Sequence, residues 1–146
     1  MKVTRFEDSY SRIFGDRIGI TAVGDLFFAR FYEIFLASSP AVHELFARTD
    51  MPRQITMLRR SLYELVTFYV TGALTEPLRR VAQVHQHLGV TPELYDCWLD
   101  ALIATVQEFD PACDELTEYA WRLALIPGVT YIKLWCGSDQ NPFDGP

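Results

Sequence analysis

Apolar residues recur along this chain with the period of a helix, and no segment of convincing length alternates as a strand would. Near the N-terminus Thr4 and Glu7 have the spacing of a capping box, with Phe6, Tyr10 and Ile13 behind them at helical intervals. This predicts a first helix of about three turns. Between Ile20 and Ala37, the residues Val23, Phe27, Phe28, Phe31, Ile34 and Phe35 predict a long, heavily buried second helix. A short helix follows from Pro40 to Phe46. After Asp50, one apolar stripe runs through Met51, Ile55, Leu58, Leu62, Leu65, Val66 and Tyr69 and closes at Thr71-Gly72.

Leu78, Val81, Ala82 and His85 share a face of the next helix, and Gly89 provides its stop. His85 therefore points inward, whereas His87 lies about 180° from Leu78 and is expected to face solvent or the following corner. Two longer helices complete the pattern. One turns Tyr95, Trp98, Leu99, Leu102, Val106 and Phe109 inward, and the other Leu116, Tyr119 and Leu123. Ser39-Pro40, Thr91-Pro92 and Asp110-Pro111 each read as an N-cap followed by the first helical residue. Pro127-Gly128 is expected to kink or break the last helix.

With 146 residues, 49% of them hydrophobic, the chain suits one domain with a sizeable core, over residues 1–135, and a flexible C-terminal tail over 136–146. A net charge of -6 leaves no basic field for phosphates, so nucleic acid is not an expected partner. No run has the length of a signal sequence or a membrane span, which predicts a soluble, cytoplasmic protein. Cys97, Cys113 and Cys136 are too few and too far apart for a disulfide framework, a zinc site or covalent haem attachment, and are read as packing residues.

Tyr32, Gln54 and His85 are polar side chains on otherwise apolar faces, where an unpartnered group costs about 1 to 3 kcal/mol. A single imidazole is too few ligands for zinc but is the usual protein ligand of a haem iron. By periodicity alone, a lone histidine on an apolar face is more often a hydrogen-bonded core residue than a ligand, as in an all-helical interaction module. The odds change with a set of short motifs: Phe31-Tyr32-Glu33-Ile34-Phe35, Pro40, Leu45-Phe46, Thr49-Asp50-Met51-Pro52-Arg53-Gln54 with Leu58, His85 with Gly89-Val90, and Pro92-Glu93-Leu94-Tyr95. In order and spacing, over about residues 20–132, they resemble the bacterial globins, specifically the haem domain of flavohaemoglobins.

The resemblance implies an all-α globin fold, a helical sandwich around a non-covalent b-type haem. It implies His85 as the proximal iron ligand, Phe46 packed on the haem, and Gln54 and Leu58 on the distal helix, with Tyr32 reaching in from the second helix. Val90 and Tyr95 fall on the proximal side, and Trp98 fits either a pocket wall or a plain core aromatic. Tyr32 and Gln54 can both donate to a partly negative gas ligand, and the Val81 carbonyl can hold the other His85 nitrogen. His43 and His87 are read as surface residues.

Two departures narrow the implied function. The flavohaemoglobin tyrosine that Tyr95 resembles works with a late-helix glutamate, yet Gly128 to Trp135 contains no carboxylate. No GxGxxG or reductase domain is present, so turnover would need a separate reductase. Reversible binding of dioxygen, with nitric oxide and carbon monoxide as further ligands, is the leading expectation. A nitric oxide dioxygenase and a diatomic-gas sensor remain the alternatives.

Overall fold

The computed structural model describes residues 4–15 and 22–144, with side chains from 25 onward in the second segment. Ile20 and the Val23 side chain, which the apolar period assigns to the second helix, lie outside the described residues. Among the described residues there are helices only: α1 (Arg5–Phe14), α2 (Ala22–Ala37), α3 (Pro40–Leu45), α4 (Met51–Thr71), α5 (Glu76–His87), α6 (Pro92–Phe109) and α7 (Glu115–Cys136).

Local chemistry sets most of these boundaries. The Thr4 hydroxyl accepts from the Glu7 amide at 3.1 Å while the Glu7 carboxylate accepts from the Thr4 amide at 3.4 Å, closing the capping box of α1. Ser39, Asp50 and Thr75 cap α3, α4 and α5 through their side-chain oxygens, each with a proline in the first helical turn. Gly72 ends α4 in the left-handed conformation, at φ +70°, that a residue with a Cβ adopts only under strain.

The central packing places α2 against α6, and α7 against α4, α5 and α6, while α1 bridges α2 and α7. Burial follows these contacts. Phe27, Phe28 and Phe31 of α2, Leu62 of α4, Leu78 of α5, Leu102 and Val106 of α6 and Trp121 of α7 are completely enclosed. α4 and α5 diverge beyond the joint where the Thr75 hydroxyl donates to Glu64 at 2.7 Å, leaving a slot between them.

Three expectations for the last helix are corrected. Asp110-Pro111 does not start it: Asp110 is the C-cap of α6, and the N-cap of α7 is Asp114, whose carboxylate accepts from the Thr117 amide at 2.8 Å. Asp110 is instead buried and committed elsewhere, accepting from Arg12 Nε at 2.7 Å, Arg12 Nη2 at 2.9 Å, Ser9 Oγ at 2.6 Å and the Ala112 amide at 3.0 Å.

Leu116, Tyr119 and Leu123 do not face inward, being 52%, 55% and 63% exposed, while Thr117, Trp121, Ala124, Leu125, Val129 and Ile132 fill the core. Both faces of α7 are apolar, so its period carries no sign of which one is covered. Pro127 does not break the helix, which runs unbroken from Glu115 to Cys136. The carbonyl that Pro127 leaves without a donor belongs to exposed Leu123, where water can take the missing bond. Gly128, beside it, allows α7 to lie close on α4: a Cβ there would sit 2.3 Å from Leu65 Cδ2.

Candidate functional site

Asp50 caps α4 so that Gln54 sits one turn into the helix, and the same register carries Leu58, Ser61 and Leu65 down one side of the slot. α5 forms the opposite side, presenting Val81, Val84, His85 and Leu88. α2 closes the top with Tyr32 and Phe35, and α6 and α7 close the back with Tyr95, Trp98, Val129 and Ile132. The result is a cavity of about 300 Å³. It opens onto a second, wider one of about 710 Å³ between α4 and α5, with which it shares Met57, Ser61, Val81, Val84 and His85.

Every candidate from the sequence lines the first cavity: Tyr32, Phe46, Gln54, Leu58, His85, Val90, Tyr95 and Trp98. Phe46 is the residue that ends α3, set edge-on to Tyr32 with ring centres 5.9 Å apart. Trp98 meets Phe31 edge-on at 5.9 Å and so is both a wall and a core aromatic. Leu45, Met57, Val84 and Leu88 line the cavity and are nevertheless exposed, marking its mouth with aliphatic surface. His43 and His87 are exposed and do not line it.

Residues missed from the sequence fall in two groups. Ser61 and Leu65 follow Gln54, Leu88 follows His85 and Val84 follows Val81, each at helical spacing, and could have been read from those registers. Val129 and Ile132 could not, because the inward face of α7 was ambiguous.

His85 Nδ1 donates to the Val81 carbonyl at 2.7 Å. That bond fixes the tautomer and leaves the lone pair on Nε2. Burial holds the imidazole pKa below its ordinary value, against the opposing effect of the Val81 bond, so the ring is neutral at pH 7. The Tyr95 ring stands 6.1 Å from the His85 ring, and its hydroxyl meets Cys136 Sγ at 3.6 Å. Cys136 thus has a polar contact as well as the packing role read from the sequence.

Across the cavity, Tyr32 is 4% exposed, and burial pushes its phenol pKa up to about 12 although the bond from Gln54 acts the other way. The hydroxyl keeps its proton at any ordinary pH. Because Gln54 Nε2 donates to the phenolic oxygen at 3.1 Å, that proton is free to be given to a third group. Among the described residues, no Asp, Glu, Lys or Arg lines the cavity, and no cluster of three or more His, Cys, Asp or Glu side chains occurs.

A protein of Pseudomonas aeruginosa, whose crystal structure is described as structurally highly homologous to a human hemoglobin, shares 39% sequence identity with this chain. The match covers 92% of this chain and 97% of that one, with a TM-score of 0.79. The chain belongs to the bacterial globins. No protein-family model matches it, and no curated protein does.

The residues of this globin fit a haem on the chemistry of its donor set. A flat apolar ring system needs long aliphatic and aromatic walls, which the cavity and its uncovered mouth supply. An iron that brings four equatorial nitrogens with it needs one neutral imidazole, and His85 is a single such donor held in the ligating tautomer.

Proposed function

We propose that this globin holds a b-type haem non-covalently through His85 and binds dioxygen reversibly, with nitric oxide and carbon monoxide as further ligands. When bound, the haem would be held by His85 and would supply a ferrous iron able to take a diatomic gas. Support comes first from one observation: a neutral His85, locked by Val81, shares an otherwise uncharged cavity with a protonated Tyr32 whose oxygen is already held by Gln54.

In this reading Tyr32 gives its proton in a hydrogen bond to the partly negative end of the gas, without transferring it. Gln54 orients the phenol by donating to its oxygen. Phe46, Leu58 and Trp98 keep water from that side, so the donor acts in a low dielectric. On the other side, the partner of His85 is a neutral carbonyl, and the hydroxyl of Tyr95 is turned to a thiol, so no carboxylate raises the basicity of the imidazole. A modestly basic ligand favours holding the gas intact over cleaving it. That supports binding in preference to peroxidase-like chemistry.

Anaerobic reduction followed by oxygen titration tests the proposal. A spectrum that saturates with oxygen and returns on its removal is expected. Rapid irreversible oxidation to the ferric state on a single exposure would reject reversible binding, and multiple turnover with nitric oxide and a separate reductase would favour the dioxygenase reading.

A further inference from the structure

The outward face of α7 carries a second apolar surface that the haem cavity does not use. On a helical wheel, Leu116, Tyr119, Leu123, Ile126, Thr130 and Leu134 fall within about 40° of a common line. The apolar members are 45% to 63% exposed. The stripe is about 27 Å long, given the rise of a helix. Scattered exposed leucines need no explanation, but a continuous stripe repeating every three and four residues is the pattern of a helix that packs on another helix.

Charge beside the stripe says which helix. Glu115 and Lys133 are 18 positions apart, so they flank it on the same side, at opposite ends. A copy of α7 lying antiparallel, with Leu123 near Ile126 of the copy, brings Glu115 of each chain to Lys133 of the other. A parallel copy would instead place the two Glu115–Lys133 flanks on opposite sides of the interface and form neither pair. Lys133 already donates to Asp96 at 2.8 Å, but its ammonium has further protons to give. Arg122, on the same flank, is held by Asp100 of its own chain at 3.0 Å. The antiparallel arrangement also opposes the two helix dipoles and is self-complementary about a two-fold axis.

We propose that the α7 stripe is the contact face of an antiparallel homodimer. Sedimentation equilibrium and light scattering over about 1 to 100 µM test it, since the mass of such a dimer depends on concentration. The wild type is expected at twice the chain mass at the upper end. Leu123→Glu is expected at one chain mass throughout, with unchanged helix content; Leu134→Glu is the second variant should Leu123→Glu fail to fold. Glu115→Lys and Lys133→Glu should each weaken the dimer severalfold, and combining them should restore it. A wild type of single-chain mass at the top concentration overturns the proposal. Flotation with phosphatidylglycerol vesicles would then assign the stripe to a lipid surface, and no flotation would leave it to a different protein. A dimer that Leu123→Glu does not disturb also overturns it. Haem is read separately by absorption, so the outcome does not depend on the proposed gas-binding site.

Discussion

Tyr32 owes its usefulness to two opposing demands on one hydroxyl. Burial keeps the proton on, and the Gln54 amide occupies the oxygen, so the remaining function of the group is to donate. A hydrogen bond to a partly charged acceptor is worth about 1.5 to 3 kcal/mol, and each 1.4 kcal/mol is about tenfold. Tyr32→Phe should therefore speed oxygen dissociation by about tenfold to a hundredfold, with a much smaller effect on carbon monoxide. Stopped-flow displacement checks this, and a change under about twofold would mean that Tyr32 does not meet the ligand. Because Gln54 acts through Tyr32, Gln54→Leu should have its effect in the wild type and almost none in Tyr32→Phe. Equal effects in both backgrounds would indicate that Gln54 reaches the gas directly.

Among the elements, α7 joins most of the others and carries the most specific close contact. Gly128→Ala would drive a methyl into Leu65, a buried wall of the cavity, at a cost of about 1 to 3 kcal/mol. Thermal unfolding should show that loss, together with weaker haem retention as Leu65 is displaced inward; a variant with unchanged melting and haem content would mean that α4 and α7 separate without cost. The caps of α1 and α3 were legible because each is a local match between a short side chain and a free amide, and the end of α4 because glycine readily takes the left-handed conformation found there. The inward direction of His85 was legible for a related reason, since its helix has one apolar face only. The orientation of α7 was not, because Leu116 and Trp121 stand on opposite apolar faces and only tertiary contact decides between them. Asp110-Pro111 likewise imitates a helix start, and its actual role depends on Arg12 and Ser9, which lie about a hundred residues away in sequence.

At the scale of the molecule, that Asp110 cluster fastens α1 to the α6–α7 corner: Trp121 Nε1 donates to Ser9 Oγ at 2.8 Å, and Ser9 donates to Asp110. Burial pushes the Asp110 carboxyl up, but the bonds from Arg12, Ser9 and Ala112 outweigh it and hold the pKa below the usual carboxylate value. A lowered folded pKa stabilises the protein above the unfolded value of about 3.9 and is lost as pH falls through the folded one. Asp110→Ala should cost about 2 to 4 kcal/mol at pH 7, toward the low side for a buried pair because the Arg12 side chain is 36% exposed and can resolvate. In denaturant melts that deficit should shrink below about pH 4. A deficit independent of pH would mean that the carboxylate charge is not what secures the corner.

His85 bears on stability in the same direction but over a higher pH range. Its folded pKa is lowered, so acidification below about 6.5 protonates the unfolded chain first and favours unfolding and loss of haem. The assignment of His85 as the iron ligand is tested most directly by the absorption spectrum of His85→Gly with imidazole added back. The wild type should show a strong Soret band that moves on reduction and again with carbon monoxide. His85→Gly should lose it, and imidazole, filling the space and supplying the same nitrogen, should restore it, while His87→Gly keeps the wild-type spectrum. A Soret band retained by His85→Gly without imidazole, or lost in His87→Gly, would contradict the assignment.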